Sequence, residues 1–373
     1  KLMPRRPNRT NYPSFYVRNG SNQHLVLPYK DGLQVTALGQ NTYTYYSAYH
    51  PIVVFINGEY YGVYELREKI NDDFLVDNYA MDIDSLDFLG VSYFKAPGQQ
   101  RLEALRGSID PFIDDVHRMQ SLHPTDENFL EEVDRFLDID SYTDYIIAES
   151  WVANNDWPFN NIKVFRCKST GYRWKWAIND MEWGLNPNGW TQSSFDHIQY
   201  MKSQGPDNYY TGFWYRMMEN PEYKAYFINR FADLMNTSYH FSVVGPLENE
   251  MFHEIYPEMD GEFERWGSQN ITAQLNTFTR NHETFRSELQ KRGPVVRKHL
   301  QSHYSLKNQV TVTLDAEPAE GGSIRISTIN PAVYPWEGIY FTDVPIEIEA
   351  IPNPGYRFSG WDNNALIDDR DNP

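Results

Sequence analysis

The stretch Pro51-Ile52-Val53-Val54-Phe55-Ile56-Asn57-Gly58 constrains the fold of this chain more than any other segment. Its β-branched run favours an extended backbone. Asn57-Gly58 then supplies two successive residues that tolerate positive φ, as a two-residue hairpin turn requires. Tyr60-Tyr61-Gly62-Val63-Tyr64-Glu65-Leu66 returns with bulky side chains alternating with Gly and Glu. That period of two is the signature of a half-buried strand. An antiparallel hairpin is therefore expected here. The fifty residues before it are polar and turn-rich, and helical spacing follows from Ile70 to Tyr79.

Beyond the hairpin, residues 81–100 read as a short strand pair with loops. Helical patterns then run over Ile109–Met119 and Asn128–Leu137. A further helix is expected to start in Asp138-Ile139-Asp140-Ser141, where Ser141 and Asp144 have capping-box spacing. Tyr142, Tyr145, Ile146 and Val152 lie mostly on one of its faces. Ile162-Lys163-Val164-Phe165 and Trp174-Lys175-Trp176-Ala177-Ile178 read as two short strands around a Ser-Thr-Gly turn. Residues 210–300 are again mostly helical. After Leu306 the pattern changes to alternating strands such as Val310–Leu314 and Ile346–Ala350, punctuated by Gly and Pro. The expected class is α+β, with a body over 1–305 and a small all-β domain over 306–373.

A chain of 373 residues is long enough to bury a large core without staples. Its formal net charge of −18 argues against binding a nucleic-acid polymer, which calls for a basic face. A small anion held with metal ions stays open. The single cysteine, Cys167, excludes a disulfide framework and a Cys-rich zinc site, and it reads as a buried thiol. The histidines lack metal-hydrolase spacing, and no G-x-S-x-G is present. No apolar run is long enough to span a bilayer, and no signal peptide is visible. The first residue is Lys1, so a fragment of a longer protein is expected. Aromatic residues make up 16% of the chain, which marks it as folded. Such rings fill cores and also line sugar-binding surfaces.

The densest polar cluster is Asn154-Asn155-Asp156-Trp157-Pro158-Phe159-Asn160-Asn161, between a helix and a strand. Asp156 and Asn161 put a carboxylate and an amide oxygen on the same side of one loop stiffened by Pro158. Phosphoryl transfer uses such a pair: the Asp takes the proton of the attacking hydroxyl, and the Asn carbonyl holds magnesium. Ile178-Asn179-Asp180-Met181-Glu182-Trp183-Gly184 follows within one hairpin. Asp180 there offers a hard oxygen ligand that can bridge magnesium to phosphates. The order of Asp, Asn, strand, turn, strand and Asp matches the C-terminal lobe of protein kinases. Asn and Asp in loops also serve as turn formers and caps. Trp157 and Trp183 flank the acids and can stack on an adenine or pack in the core. Glu149 shares a helix side with Tyr145, as a support for the site or as a solvated group.

Three stretches resemble the CotH kinase family, the spore-coat kinases and their secreted bacterial relatives: Phe55–Ile70, the Asn155-Asp156…Asn161 loop and Ala177–Gly184. Phe15-Tyr16-Val17-Arg18-Asn19-Gly20 and the aromatic helical part to about residue 300 also fit. The resemblance implies an atypical protein-kinase-like fold, mostly its helical lobe plus a β-hairpin region. It implies transfer of the γ-phosphate of ATP, with magnesium, to Ser/Thr hydroxyls of proteins outside the cytoplasm. By that match Asp156 is the catalytic Asp and Asn161 and Asp180 are metal ligands. Glu68, in the segment joining the lobes, lies near the nucleotide by the same match, and Trp183 is the cofactor-binding candidate read from its place beside the acids. Family members carry a longer part before the Arg-Asn-Gly stretch, with further strands and a phosphate-gripping lysine. No such lysine and no Gly-rich phosphate loop can be assigned here.

Residues 308–373 resemble the bacterial surface module related to the InlB B-repeat, through Gly321–Ile324, Val344–Pro352 and Pro354–Trp361. The family's closing strand after the Trp is absent or cut. This implies a secreted or cell-surface spacer. The competing expectation for the chain is a catalytically silent scaffold that binds glycans or proteins through its Tyr and Trp.

Overall fold

The Asn57-Gly58 turn closes as its sequence requires, with φ of 55° and 85° at the two residues. The structure, a computed structural model, describes residues 2–6, 8–91, 102–186, 191–267 and 270–362. Its elements begin with β1 (Phe15–Arg18), α1 (Lys30–Gly39), β2 (Tyr45–Tyr46), β3 (Tyr49–Ile56), β4 (Glu59–Glu68) and α2 (Asp72–Tyr79). Next come β5 (Asp87–Val91), β6 (Leu102–Arg106), α3 (Asp110–Ser121), α4 (Phe129–Asp134), α5 (Ile139–Val152), β7 (Ile162–Arg166) and β8 (Lys175–Ile178). Then follow α6 (His197–Ser203), α7 (Gly212–Met217), α8 (Pro221–Asn236), α9 (Phe241–Ile255), α10 (Met259–Trp266) and α11 (Ile271–Tyr304). The last four strands are β9 (Gln309–Leu314), β10 (Gly322–Ile326), β11 (Trp336–Phe341) and β12 (Ile348–Pro352). The class is α+β.

Packing divides the chain into two units, Lys1–Asn220 with Ser238–Val296, and Pro221–Thr237 with Arg297–Pro373. In the first unit β1, β4 and β3 form an antiparallel sheet. A second sheet runs β2-β8-β7-β5-β6, with only the β2–β8 pair parallel. The strand pair expected over 81–100 is β5 with β6, and the second strand starts beyond residue 100. Residues 92–101 between them lie outside the described residues.

Helix α1 falls in the stretch expected to be turns, and every one of its ten residues is buried. Its sequence, Lys-Asp-Gly-Leu-Gln-Val-Thr-Ala-Leu-Gly, holds two glycines and two β-branched residues and has weak intrinsic helix preference. Burial on all sides also erases the amphipathic stripe that would have announced it. Helix α5 shows the same effect: Ser141 through Val152 are all buried. Its cap is Asp138, whose side chain accepts from the Ser141 N–H at 2.9 Å. The capping-box assignment to Ser141 is thereby corrected, because Ser141 already lies within the first turn.

The abundance of aromatic residues is explained largely by this core. Tyr142 lies 4.7 Å from Trp176, Phe112 lies 5.1 Å from Trp174, and Phe213 contacts both Tyr142 and Trp176. Cys167 is buried, with its sulfur 3.6 Å from that of Met81.

In the second unit β9 pairs with β11 and β10 with β12, both antiparallel. Two-stranded sheets cannot enclose a core alone. Here Leu314, Ile324, Ile326 and Tyr340 cluster with Ala232 of α8. Asp233 on that helix accepts from the Tyr340 hydroxyl at 2.6 Å and from Thr328 Oγ1 at 2.7 Å. Among the described residues no helix is long and apolar enough to cross a membrane.

Candidate active site

The site begins where α5 ends. Ala153 takes a left-handed conformation, with φ of 57°, and the Asn154 N–H closes back on the Glu149 carbonyl at 3.1 Å. The Asn154 amide donates to Glu149 Oε2 at 2.9 Å, and its Oδ1 accepts from the Asp156 N–H at 3.2 Å. Trp157 is buried between Tyr145 and His197, with ring centres 6.1 and 5.8 Å away. The carbonyls of Asn154 and Asn155 are engaged by His197 Nε2 at 2.8 Å and the Tyr200 hydroxyl at 3.3 Å. The loop is therefore held along its whole inner side. Trp157 belongs to the core rather than to a ligand surface.

His197 yields a pH prediction. A carbonyl only accepts, so Nε2 carries the proton, and Nδ1 has no hydrogen-bond partner. Burial pushes this imidazole down to about 3. The unfolded ring protonates near an ordinary value of ~6.5, so between these limits the unfolded state binds more protons. The stabilisation is full above pH ~6.5 and is lost as pH falls toward 3. His197→Gln removes that term. The stability difference between wild type and His197→Gln should shrink by about 2 kcal/mol from pH 7 to pH 5 in urea titrations. A pH-independent difference would refute it.

Two of the sequence candidates meet directly. Asp156 Oδ2 accepts from the side-chain amides of Asn161 at 3.0 Å and Asn160 at 2.7 Å. Asn161 gives an N–H to Asp156, so its Oδ1 is not the atom bonded there. Both residues are half-buried, so the pair is open to solvent. Burial raises the Asp156 carboxyl above its ordinary value, with Asn160 opposing.

Sheet register brings the third candidate alongside. Lys163 pairs with Ala177 and Val164 with Trp176. Continued past the strand ends, that register sets Asn161 opposite Asn179, and Asn179 Nδ2 donates to the Asn161 carbonyl at 3.3 Å. Asp180 is the next residue. Asn161 and Asp180 both adopt positive φ, 57° and 58°. Glu149, fully buried, feels the charges of both Asp156 and Asp180. Burial first, then those charges, push it up to about 8 against its bond from Asn154. Glu149 is thus a buried support of the loop and not a solvated group.

The Asp180 side chain faces a buried charge cluster that sequence reading did not foresee. Arg67 lies 2.6 Å from Asp31 and 2.5 Å from Glu65. Arg18 stands 3.7 to 4.0 Å from Asp31, Glu65, Asp180 and Glu182. Lys30 Nζ donates to the Glu182 carbonyl at 2.6 Å, and Asp31 Oδ1 accepts the Met181 N–H at 2.6 Å. Burial opposes ionisation of Asp31, yet Arg67, Arg18 and the Met181 N–H hold its carboxyl below the ordinary value. Asp180 is driven the other way, by burial and by Asp31. Glu65 is pushed up to about 7 and Lys30 down to about 7, chiefly by burial. The signal for part of this cluster lay in β4, where Glu65 and Arg67 alternate onto one face. Asp31 and Lys30 were hidden in the unrecognised α1.

Glu68 is elsewhere. Its carboxylate accepts from Arg9 Nη1 at 2.7 Å, Arg6 Nε at 3.2 Å, Asn78 Nδ2 at 3.0 Å and the Ala48 N–H at 2.7 Å. That bonding ties the N-terminal segment to β4 and α2. Trp183 is half-buried, and its carbonyl accepts from Thr191 Oγ1 at 2.9 Å. Among the described residues the four bonds of Glu68 go to none of Asp156, Asn161 or Asp180.

Among the described residues no group of three or more His, Cys, Asp or Glu side chains forms a ready metal cage. A kinase-type site does not need one, because magnesium takes one or two protein oxygens and completes its shell with phosphate and water. Buried oxygens without a hydrogen-bond donor, Asp180 Oδ1 and Glu182 Oε2, fit such a cation.

An Asp–Asn loop pair beside a second strand-end acid thus sits on an α+β body. Residues 35–296 match the family described as CotH kinase protein, and the chain belongs to that family. Comparison with curated proteins gives no match.

Proposed function

We propose that the chain is a magnesium-dependent protein kinase with an atypical kinase-like fold, transferring the γ-phosphate of ATP to Ser/Thr hydroxyls. One observation carries the reading: in a CotH-family chain, Asp156 and Asn161 are hydrogen-bonded within one loop, and sheet register sets Asp180 at the adjoining strand end. Asp156 takes the proton of the acceptor hydroxyl as that oxygen bonds to the γ-phosphorus. The bond from phosphorus to the bridging oxygen breaks, and ADP leaves with the electron pair. Asn161 holds Asp156 in orientation through its amide N–H. Asn161 Oδ1 and Asp180 would hold magnesium, which supplies neutralisation of phosphate charge. The half-buried setting raises the basicity of Asp156, which suits a proton acceptor.

The extracytoplasmic setting, and a spacer role for residues 308–373 like that of InlB B-repeat modules, are parts of the same proposal. They rest on the resemblances. The test is calorimetry of the full chain with Mg-ATP, followed by transfer of labelled γ-phosphate to dephosphorylated casein. Magnesium-dependent heat and EDTA-sensitive labelling are expected. No heat with either Mg-ATP or Mn-ATP would overturn the reading.

A further inference from the structure

Two of the three cations in the buried cluster have close partners. Lys30 donates to the Glu182 carbonyl and lies over the Phe285 ring, 5.7 Å from its centre. Arg67 is clamped between Asp31 and Glu65 and lies over the Tyr49 ring, 5.5 Å away. Arg18 is different. Its side chain donates no hydrogen bond among the described residues, and its four carboxylate neighbours all stand at 3.7 Å or more. Its side chain is 28% exposed, against 6% for Arg67. The backbone of Arg18 is fixed, since β1 pairs it with Glu65 of β4. The head group is thus delivered to the site without being committed there. A guanidinium so placed normally spends its donors on carboxylates or carbonyls.

We propose that Arg18 grips the phosphates of the nucleotide. The inference rests on the kinase reading. Its planar fork of N–H donors matches phosphate oxygens two at a time. Asp180 and Glu182, which now face it, are the oxygens that suit a divalent cation. A cation held by Asp180 would neutralise one of these carboxylates and leave the charge of Arg18 to phosphate. Arg67 cannot serve equally, because withdrawing it would leave Asp31 and Glu65 buried without their close partner.

The test is calorimetry of wild type, Arg18→Gln and Arg18→Lys against Mg-ATP and against adenosine. Arg18→Gln should bind Mg-ATP about 10- to 100-fold more weakly, the loss of one or two charge-assisted hydrogen bonds. Its adenosine affinity should stay within about twofold, and Arg18→Lys should recover part of the loss. Mg-ATP affinity within twofold of wild type in Arg18→Gln would overturn the proposal. So would an equal loss for adenosine. If Arg18→Gln fails to fold, folded Arg18→Lys decides: it must lose about fivefold or more for Mg-ATP alone. Wild type that binds no nucleotide would remove the kinase reading and this role together. Binding that survives in both variants removes only Arg18.

Discussion

Asp156→Asn should lower phosphoryl transfer by about 10³-fold or more while leaving the fold and Mg-ATP affinity close to wild type. A positioned base contributes roughly 10²–10⁴ in rate. The substitution removes the proton-accepting oxygen and changes little else. Asn at this position can still accept the amide N–H groups of Asn160 and Asn161 through Oδ1. The loop's remaining anchors, at Asn154, Asn155 and Trp157, do not involve the carboxylate. The check is a γ-phosphate transfer rate measured beside a thermal unfolding curve. A rate within tenfold of wild type, in a variant of unchanged stability, would take the proton-acceptor role away from Asp156.

The second large effect is on stability. Arg292 of α11 is buried and, among the described residues, hydrogen-bonds no carboxylate. It donates to four backbone carbonyls: Ser150 at 2.7 Å, Trp151 at 2.5 Å, Ser193 at 2.6 Å and Phe195 at 2.8 Å. The first two are carbonyls of the last turn of α5, where only Ser150 also receives a backbone N–H, from Ala153 at 3.2 Å. One guanidinium therefore caps the helix that launches the Asp156 loop and ties it to residues 193–195. Burial pulls its pKa down to about 9, and it remains charged at neutral pH. Arg292→Met should cost roughly 3–5 kcal/mol, because the Trp151 and Ser193 carbonyls lose this donor inside the core and those of Ser150 and Phe195 keep only a backbone N–H. The melting midpoint should fall by about 5 °C. Arg292→Lys should recover less than half, since one ammonium cannot reach carbonyls spread around a planar fork. A midpoint within about 2 °C of wild type for Arg292→Met would contradict this assignment.

What could be read in advance follows from where the physics is local. Asn57-Gly58 dictates its own turn, and the alternation in Tyr60–Leu66 dictates its strand, so the hairpin was visible. The loop of Asp156 and Asn161 was visible because its polar density breaks the pattern between α5 and β7. Helix α1 was not visible. It is buried on every side and carries Lys30 and Asp31 inward, against both propensity and hydrophobic patterning. The charge cluster is a product of tertiary assembly. Arg18, Asp31, Arg67 and Asp180 come from four separate stretches of sequence, and no spacing rule links them. Arg292 was equally hidden. Its position on an amphipathic helix resembles that of any surface arginine until the α5 carbonyls are seen around it.

The most direct test is anomalous diffraction from crystals of the full chain grown with Mn²⁺ and a non-hydrolysable ATP analogue. The account predicts a manganese peak about 2.0–2.3 Å from an oxygen of Asp180 and from Asn161 Oδ1. It also predicts the Asp156 carboxylate unliganded and facing the end of the phosphate chain. A metal bound away from both residues, with Asp180 still turned to Arg18, would contradict it.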